Sequence, residues 1–264
     1  MDLKKVYGFS YDYLLKVANG YLSEDKIKDH ISIPDAKNCD SIISAYELLI
    51  EILQDFNRYP NVIKYSERKD EIKRILHNYD LSYIASLTQN ELLSTFKSTF
   101  GFEREMMWRK YAKSIITGAS FMLSFKNYAE FKSTFDSFDS NDMTREALAL
   151  LISTKIFNMG FALACNWLKE LGYYQYAKPD THTKDICAAL NLAENNDDIE
   201  CFEAMVKIAK SAEVSAYKVD KVWWLICSGN FYRYNVKLPL AGSPKLKENF
   251  ISELKKNFND LNIY

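Results

Sequence analysis

Apolar residues recur three and four positions apart along nearly every stretch of this 264-residue chain, and almost nowhere do they alternate one for one. That regularity confines the fold. An element whose buried stripe repeats every 3.6 residues is a helix, and a chain built of such elements hides its core between helices. SIISAYELLIEILQDF (41–56) is apolar over a broad face, with Asp40 or Ser41 ready to cap it. NVIKYSERKDEIKRILHNYD (61–80) follows Pro60 and carries opposite charges at helical spacing. LTQNELLSTFKSTF (87–100) ends at Gly101, and residues 103–125, 127–138 and 142–155 continue the pattern.

Further helices are expected over FALACNWLKEL (161–171), THTKDICAALNL (181–192), IECFEAMVKIAKSA (199–212) and AYKVDKVWWLICS (216–228). A last one follows Pro244, with Leu246, Phe250, Leu254, Phe258 and Leu261 along one face. Only FYRYNVKL (231–238) hints at short strands, inside 230–243, the one long linker expected. The fold class is therefore all-α, in two helical lobes. Only 8 glycines, 48% hydrophobic and 26% charged residues suit such a chain.

Composition also excludes several functions. A formal charge of −1 gives no global positive field, so nucleic-acid binding would need a local basic patch. The five cysteines are scattered, with no CxxC pair; neither a disulfide framework, a zinc site nor an iron–sulfur cluster is suggested. Most of them sit in apolar helical patterns, as buried thiols of a cytoplasmic protein do. The start, MDLKKVYGFSYDYLL, lacks a signal-peptide pattern, and IFNMGFALACNWL is too short to span a bilayer. With His30, His77 and His182 dispersed, no metal cluster is expected. No phosphate-binding loop, dinucleotide motif or Ser–His–Asp signature occurs.

The chemistry concentrates in TKIFNMGFALACNWLKELGYYQYAKPDTHTKDI (154–186). IFNMG reads as a tight hairpin between two helices. Ile156 and Met159 would point inward, while Asn158 and Gly160 take positive φ, which those two residue types tolerate best. Such a turn presents backbone N–H groups at the next helix's N-terminus, where a phosphate is favoured. Gly172 suits the end of that helix, and Asp180 follows Pro179 at the start of another.

Hairpin, helix, Gly–Tyr ending (Gly172–Tyr173), short loop and Asp-x-His (Asp180, His182) resemble the helix-hairpin-helix DNA glycosylase superfamily. Within it the segment is most similar to the all-helical 8-oxoguanine DNA glycosylases of archaeal type, over about 30 residues. The resemblance implies a two-lobed glycosylase-like fold. One lobe would span 41–178 and contain the hairpin unit (about 144–172); the other would join 1–40 to 179–264, with a cleft between them. It implies DNA repair by base excision, on a damaged or mispaired base flipped out of double-stranded DNA. Asp180 would be catalytic. Asn158, Met159, Gly160 and Phe161, with Lys155 and His182, would hold the DNA backbone, with room for a monovalent cation at the hairpin and no other cofactor. A monomer with no membrane association is expected.

Two departures bear on activity. Members that also nick the strand carry a Lys near the start of the second helix, which forms a Schiff base; on this register that position is Ala162. A hydrolytic, monofunctional enzyme is therefore expected, and a DNA-binding module without catalysis is the alternative. The hairpin's usual first Gly is Asn158. Trp223, Trp224 and Lys178 are candidates for a base pocket, although core packing is the more usual role of each Trp. Asp220 is either a polar site residue or a surface partner of Lys218 and Lys221. Arg109 and Lys113 share a helix face that suits phosphate or solvent.

Overall fold

The computed structural model describes residues 2–33, 39–55, 59–194 and 197–258. Among them fifteen helices follow in order. They open with α1 (Leu3–Ala18), α2 (Glu24–Ile31), α3 (Ile42–Leu53), α4 (Pro60–Ile63) and α5 (Tyr65–Ile75). Next come α6 (Leu81–Ser86), α7 (Gln89–Phe100), α8 (Glu105–Met122), α9 (Tyr128–Phe138) and α10 (Asp142–Lys155). The last are α11 (Phe161–Glu170), α12 (Thr181–Ala189), α13 (Asp198–Ser211), α14 (Ala216–Ser228) and α15 (Pro244–Phe258). The chain divides into two compact units, Met1–Asp35 with Tyr174–Tyr264, and Ala36–Tyr173.

The second unit is built on α3, whose apolar residues face several directions, so it is covered by α8 and α11. Ser41 and Ser44 close a capping box at its start. Three buried polar tips then bond across the helix pack to main-chain carbonyls. Tyr46 Oη donates to Ile115 O (2.7 Å), Tyr111 Oη to Ile50 O (3.0 Å) and Trp167 Nε1 to Ala45 O (3.2 Å). Each bond satisfies an otherwise costly buried donor and fixes one helix's register on another. At Gly118 on α8 an added Cβ would stand 2.9 Å from Leu49 Cδ2, so the absence of a side chain sets the α3–α8 approach.

The segment 61–80 is not one helix. Lys64 turns left-handed (φ 53°) between α4 and α5, and His77, Asn78 and Tyr79 are all left-handed (φ 48°, 58° and 62°). The Tyr79 hydroxyl meets that of Tyr65 at 3.0 Å in the core, and Asp80 then caps α6. Burial of these two rings outweighs the helical continuity of the charge pattern.

In the first unit α1 packs on α13 and α14, and α12 on α13, α14 and α15. Trp223 Nε1 donates to Ser10 Oγ at 3.0 Å. The expected linker over 230–243 is structured in its first half. Asn230–Phe231 and Val236–Lys237 pair antiparallel around a 3₁₀ turn at Tyr232–Tyr234. Phe231 and Leu238 are buried, and His30 lies against the rings of Phe231 and Tyr232. Burial beside the cations of Lys221 and Arg233 lowers the His30 imidazole to about 4, and only Asp29 opposes the shift. On α15, Phe250 and Leu254 are buried as expected, while Leu261 lies outside the described residues.

Candidate functional site

The hairpin joins α10 to α11 in the second unit. Ile156 and Met159 are buried, as their apolar character requires. Asn158 takes the left-handed conformation (φ 59°). Gly160 does not: its backbone is extended (φ −69°, ψ 168°), and a Cβ there would meet nothing within 4 Å. One left-handed residue suffices to reverse the chain, so no second is needed at Gly160.

Gly160 is the N-cap of α11 and offers no side chain to the helix amides. The N–H groups of Asn158, Gly160 and Ala162 donate to nothing among the described residues. Phe161 is buried and Lys155 exposed. Along α11 every residue from Leu163 to Lys169 is buried, and Asn166 Nδ2 donates to Asp55 Oδ2 at 3.2 Å. Sequence reading passed over Asn166 and Lys169, because polar side chains inside an apolar helix carry no marker of their own. Gly172 ends this stretch at φ 102°.

Asp180 opens α12 in the first unit. Its backbone is extended, and its Oδ1 accepts the N–H groups of His182 (2.8 Å) and Thr183 (3.1 Å). The cap is real, yet it uses one oxygen only. Oδ2 accepts no hydrogen bond among the described residues, and the side chain is half-buried.

The loop entering Asp180 is pinned from both sides. The Lys178 N–H donates to Asp220 Oδ2 at 3.2 Å, while its carbonyl accepts the Asp180 N–H at 2.8 Å. The Thr183 hydroxyl lies 3.1 Å from the same carbonyl. Asp220 is 3% exposed on α14, so it is no surface partner of Lys218 and Lys221. A carboxylate so buried is rarely left without a donor, and the Lys178 amide supplies one.

Trp223 is fully buried with its N–H taken by Ser10, which removes it from the candidate base pocket. Trp224 is partly exposed and meets Tyr232 edge-on at 5.9 Å. Lys178 and His182 are half-buried, and His182 Nδ1 is buried without a hydrogen-bond partner among the described residues. A cavity of about 480 Å³ in this unit is lined by His182, Cys227, Ser228, Lys237, Ser243 and Lys247. Burial, reinforced by Asp180, pushes the Cys227 thiol up to about 12, so it is no thiolate nucleophile. Lys247 forms an ion pair with Asp185.

Elsewhere Arg109 is engaged by Glu105 and Asn90, each at 2.8 Å. Cys187 and Cys201 are buried thiols, Sγ to Sγ 3.5 Å. Among the described residues no group of His, Cys, Asp or Glu side chains could hold a metal ion, and no helix is long and apolar enough to cross a membrane.

The helices superpose on the crystal structure of Methanocaldococcus jannaschii 8-oxoguanine glycosylase/lyase in complex with a 15mer DNA containing 8-oxoguanine. The TM-score is 0.52 at 18% identity, over 87% of this chain and 99% of that one. The chain has an all-α glycosylase fold. Neither a family model nor a curated protein matches the sequence. The hairpin lies in the second unit and Asp180 in the first.

Proposed function

We propose that the protein is a DNA-repair N-glycosylase that removes an extruded damaged or mispaired base by hydrolysis. The observation that carries this is the division of labour within Asp180. Oδ1 is fixed by two amides, and Oδ2 keeps its lone pairs for a substrate. A carboxylate so oriented stabilises the positive charge that develops at the sugar as the base departs with the bonding electrons. Oδ2 then takes a proton from the water that adds to C1′. The Lys178 peptide, braced by Asp220 and Thr183 and accepting the Asp180 N–H, fixes the backbone from which that carboxylate projects.

The archaeal neighbour is a glycosylase/lyase. Here Ala162 has no amine, so neither an imine nor strand cleavage through one is available at that position. The amides of Asn158, Gly160 and Ala162 would grip backbone phosphates, and Lys155 and His182 would add side-chain contacts. A monovalent cation at the hairpin would be held by the carbonyls of Phe157, Asn158 and Met159, which accept no bond among the described residues. It would supply a positive charge toward a phosphate. Trp224 and Lys178 are the remaining candidates to meet the base.

The test is incubation with duplexes bearing uracil, 8-oxoguanine, alkylated purines or mismatched adenine. Abasic-site formation on at least one of them, with no borohydride-trapped complex, is expected. Base release that continues at the wild-type rate in Asp180→Asn refutes the role of the carboxylate. Salt-dependent duplex binding with no release from any substrate leaves only a binding module.

A further inference from the structure

Beside the hairpin a surface cation rests on an aromatic ring rather than on a carboxylate. On α8, Lys113 is exposed and forms no ion pair among the described residues. Its Nζ nevertheless stands 4.1 Å from the ring centroid of Phe157, the second residue of the hairpin. Phe157 is itself fixed, because its N–H donates to Thr117 Oγ1, one turn along α8, at 2.9 Å. An aromatic face attracts an ammonium without neutralising it. The contact therefore narrows the rotamers of Lys113 while leaving its charge available.

The same turn carries the N–H groups of Asn158, Gly160 and Ala162, which lack acceptors among the described residues. A full positive charge beside partial positive charges from unpaired amides selects an anion, and Arg109 on the same helix is already neutralised by Glu105. We propose that Lys113 is a DNA-backbone contact, held over Phe157 so that it engages a phosphodiester of the strand that the hairpin grips. This rests on the glycosylase assignment for its ligand, duplex DNA. A phosphate contact of this type is blind to sequence and sensitive to salt.

The experiment is fluorescence anisotropy of the full chain with a labelled duplex, titrated at a series of salt concentrations. Each phosphate neutralised contributes about 0.9 to the slope of log K against log salt. Lys113→Gln should flatten the slope by about one such unit and weaken binding to all sequences alike, and Lys113→Arg should restore it. Phe157→Leu should keep the slope but lower affinity, since the charge remains while its position is lost. Lys207, paired with Glu203 in the first unit, is the control: Lys207→Gln should leave the slope unchanged. A wild-type slope in Lys113→Gln overturns the inference even when the protein binds DNA well. If the wild-type chain binds no duplex, the glycosylase assignment fails first, and this one falls with it.

Discussion

Two helix starts, α11 and α12, solve the same local problem in opposite ways. Every helix begins with amides that lack intrahelical partners. At α12 the chain supplies its own acceptor: Asp180 Oδ1 takes the amides of His182 and Thr183. At α11 Gly160 supplies none, and the Ala162 amide has no acceptor among the described residues. The difference teaches where each terminus can act. A capped start is spent as an anion site but holds a carboxylate rigidly. An open start holds nothing in place but receives a phosphate. The proposed chemistry assigns catalysis to the first and grip to the second.

The largest effect that would break this contrast is at Asp180. Asn caps about as well as Asp, so Asp180→Asn should leave stability within about 0.5 kcal/mol in a denaturant titration. Base release should fall by about 10²–10⁴-fold, the usual span for a catalytic carboxylate. A loss of stability matching the loss of rate would make Asp180 a cap and nothing more.

Acid should separate the two termini next. His30 shares the first unit with Asp180, and its imidazole lies at about 4 in the fold against about 6.5 free. The unfolded chain therefore binds this proton first. Stability is complete above pH 6.5 and is lost as pH falls towards 4, by up to about 3 kcal/mol. Lys221 and Arg233 add to the penalty on the charged form, and Asp29 offsets part of it. Amide exchange between pH 6.5 and 4.5 should show α2 and α14 losing protection before α10 and α11. His30→Leu should abolish that order; identical loss in both units would place the acid-sensitive group elsewhere.

A smaller effect probes the brace behind the cap. Asp220→Ala strands the part-buried Lys178 amide, at a cost of about 1–3 kcal/mol, and should slow base release with little change in DNA affinity. Asp220→Asn keeps an acceptor in the same place and should recover most of both. Equal damage from the two substitutions would mean that the charge matters, rather than the acceptor.

The smallest effect tests α11 directly. Gly160→Asp has open space for its side chain and a backbone already suited to a cap. It should stabilise the fold by about 0.3–1 kcal/mol in thermal melts. DNA binding should weaken at the same time, because the new carboxylate occupies the place of a phosphate. Unchanged binding would show that these amides do not meet DNA.

Much of this site was legible from residue types. Pro179–Asp180 before an apolar periodic stretch marks a capped helix start, and Asn158 between two such stretches marks a reversal. Both follow from local backbone energetics, which a sequence displays directly. Gly160 was misread because a glycine permits positive φ without requiring it. Trp223 and Trp224 stand adjacent in sequence, and which of them is buried depends on Ser10, far away along the chain. The partners of Arg109 and Lys113 differ for the same reason: Asn90 and Phe157 reach them only after folding. Likewise 61–80 has the charge spacing of a helix, but the demand of Tyr65 and Tyr79 for a shared buried hydrogen bond breaks it.

The first unit is assembled from both ends of the described chain, with the whole second unit threaded between. On the ribosome α1 and α2 emerge long before α13 and α14 exist to cover them. At about 5–20 residues per second, their apolar faces wait many seconds while 36–173 is made and is free to fold. Nascent chains should therefore expose Val6 and Leu14 until α14 emerges, a window in which chaperones rather than the protein's own core shield the N-terminal helix.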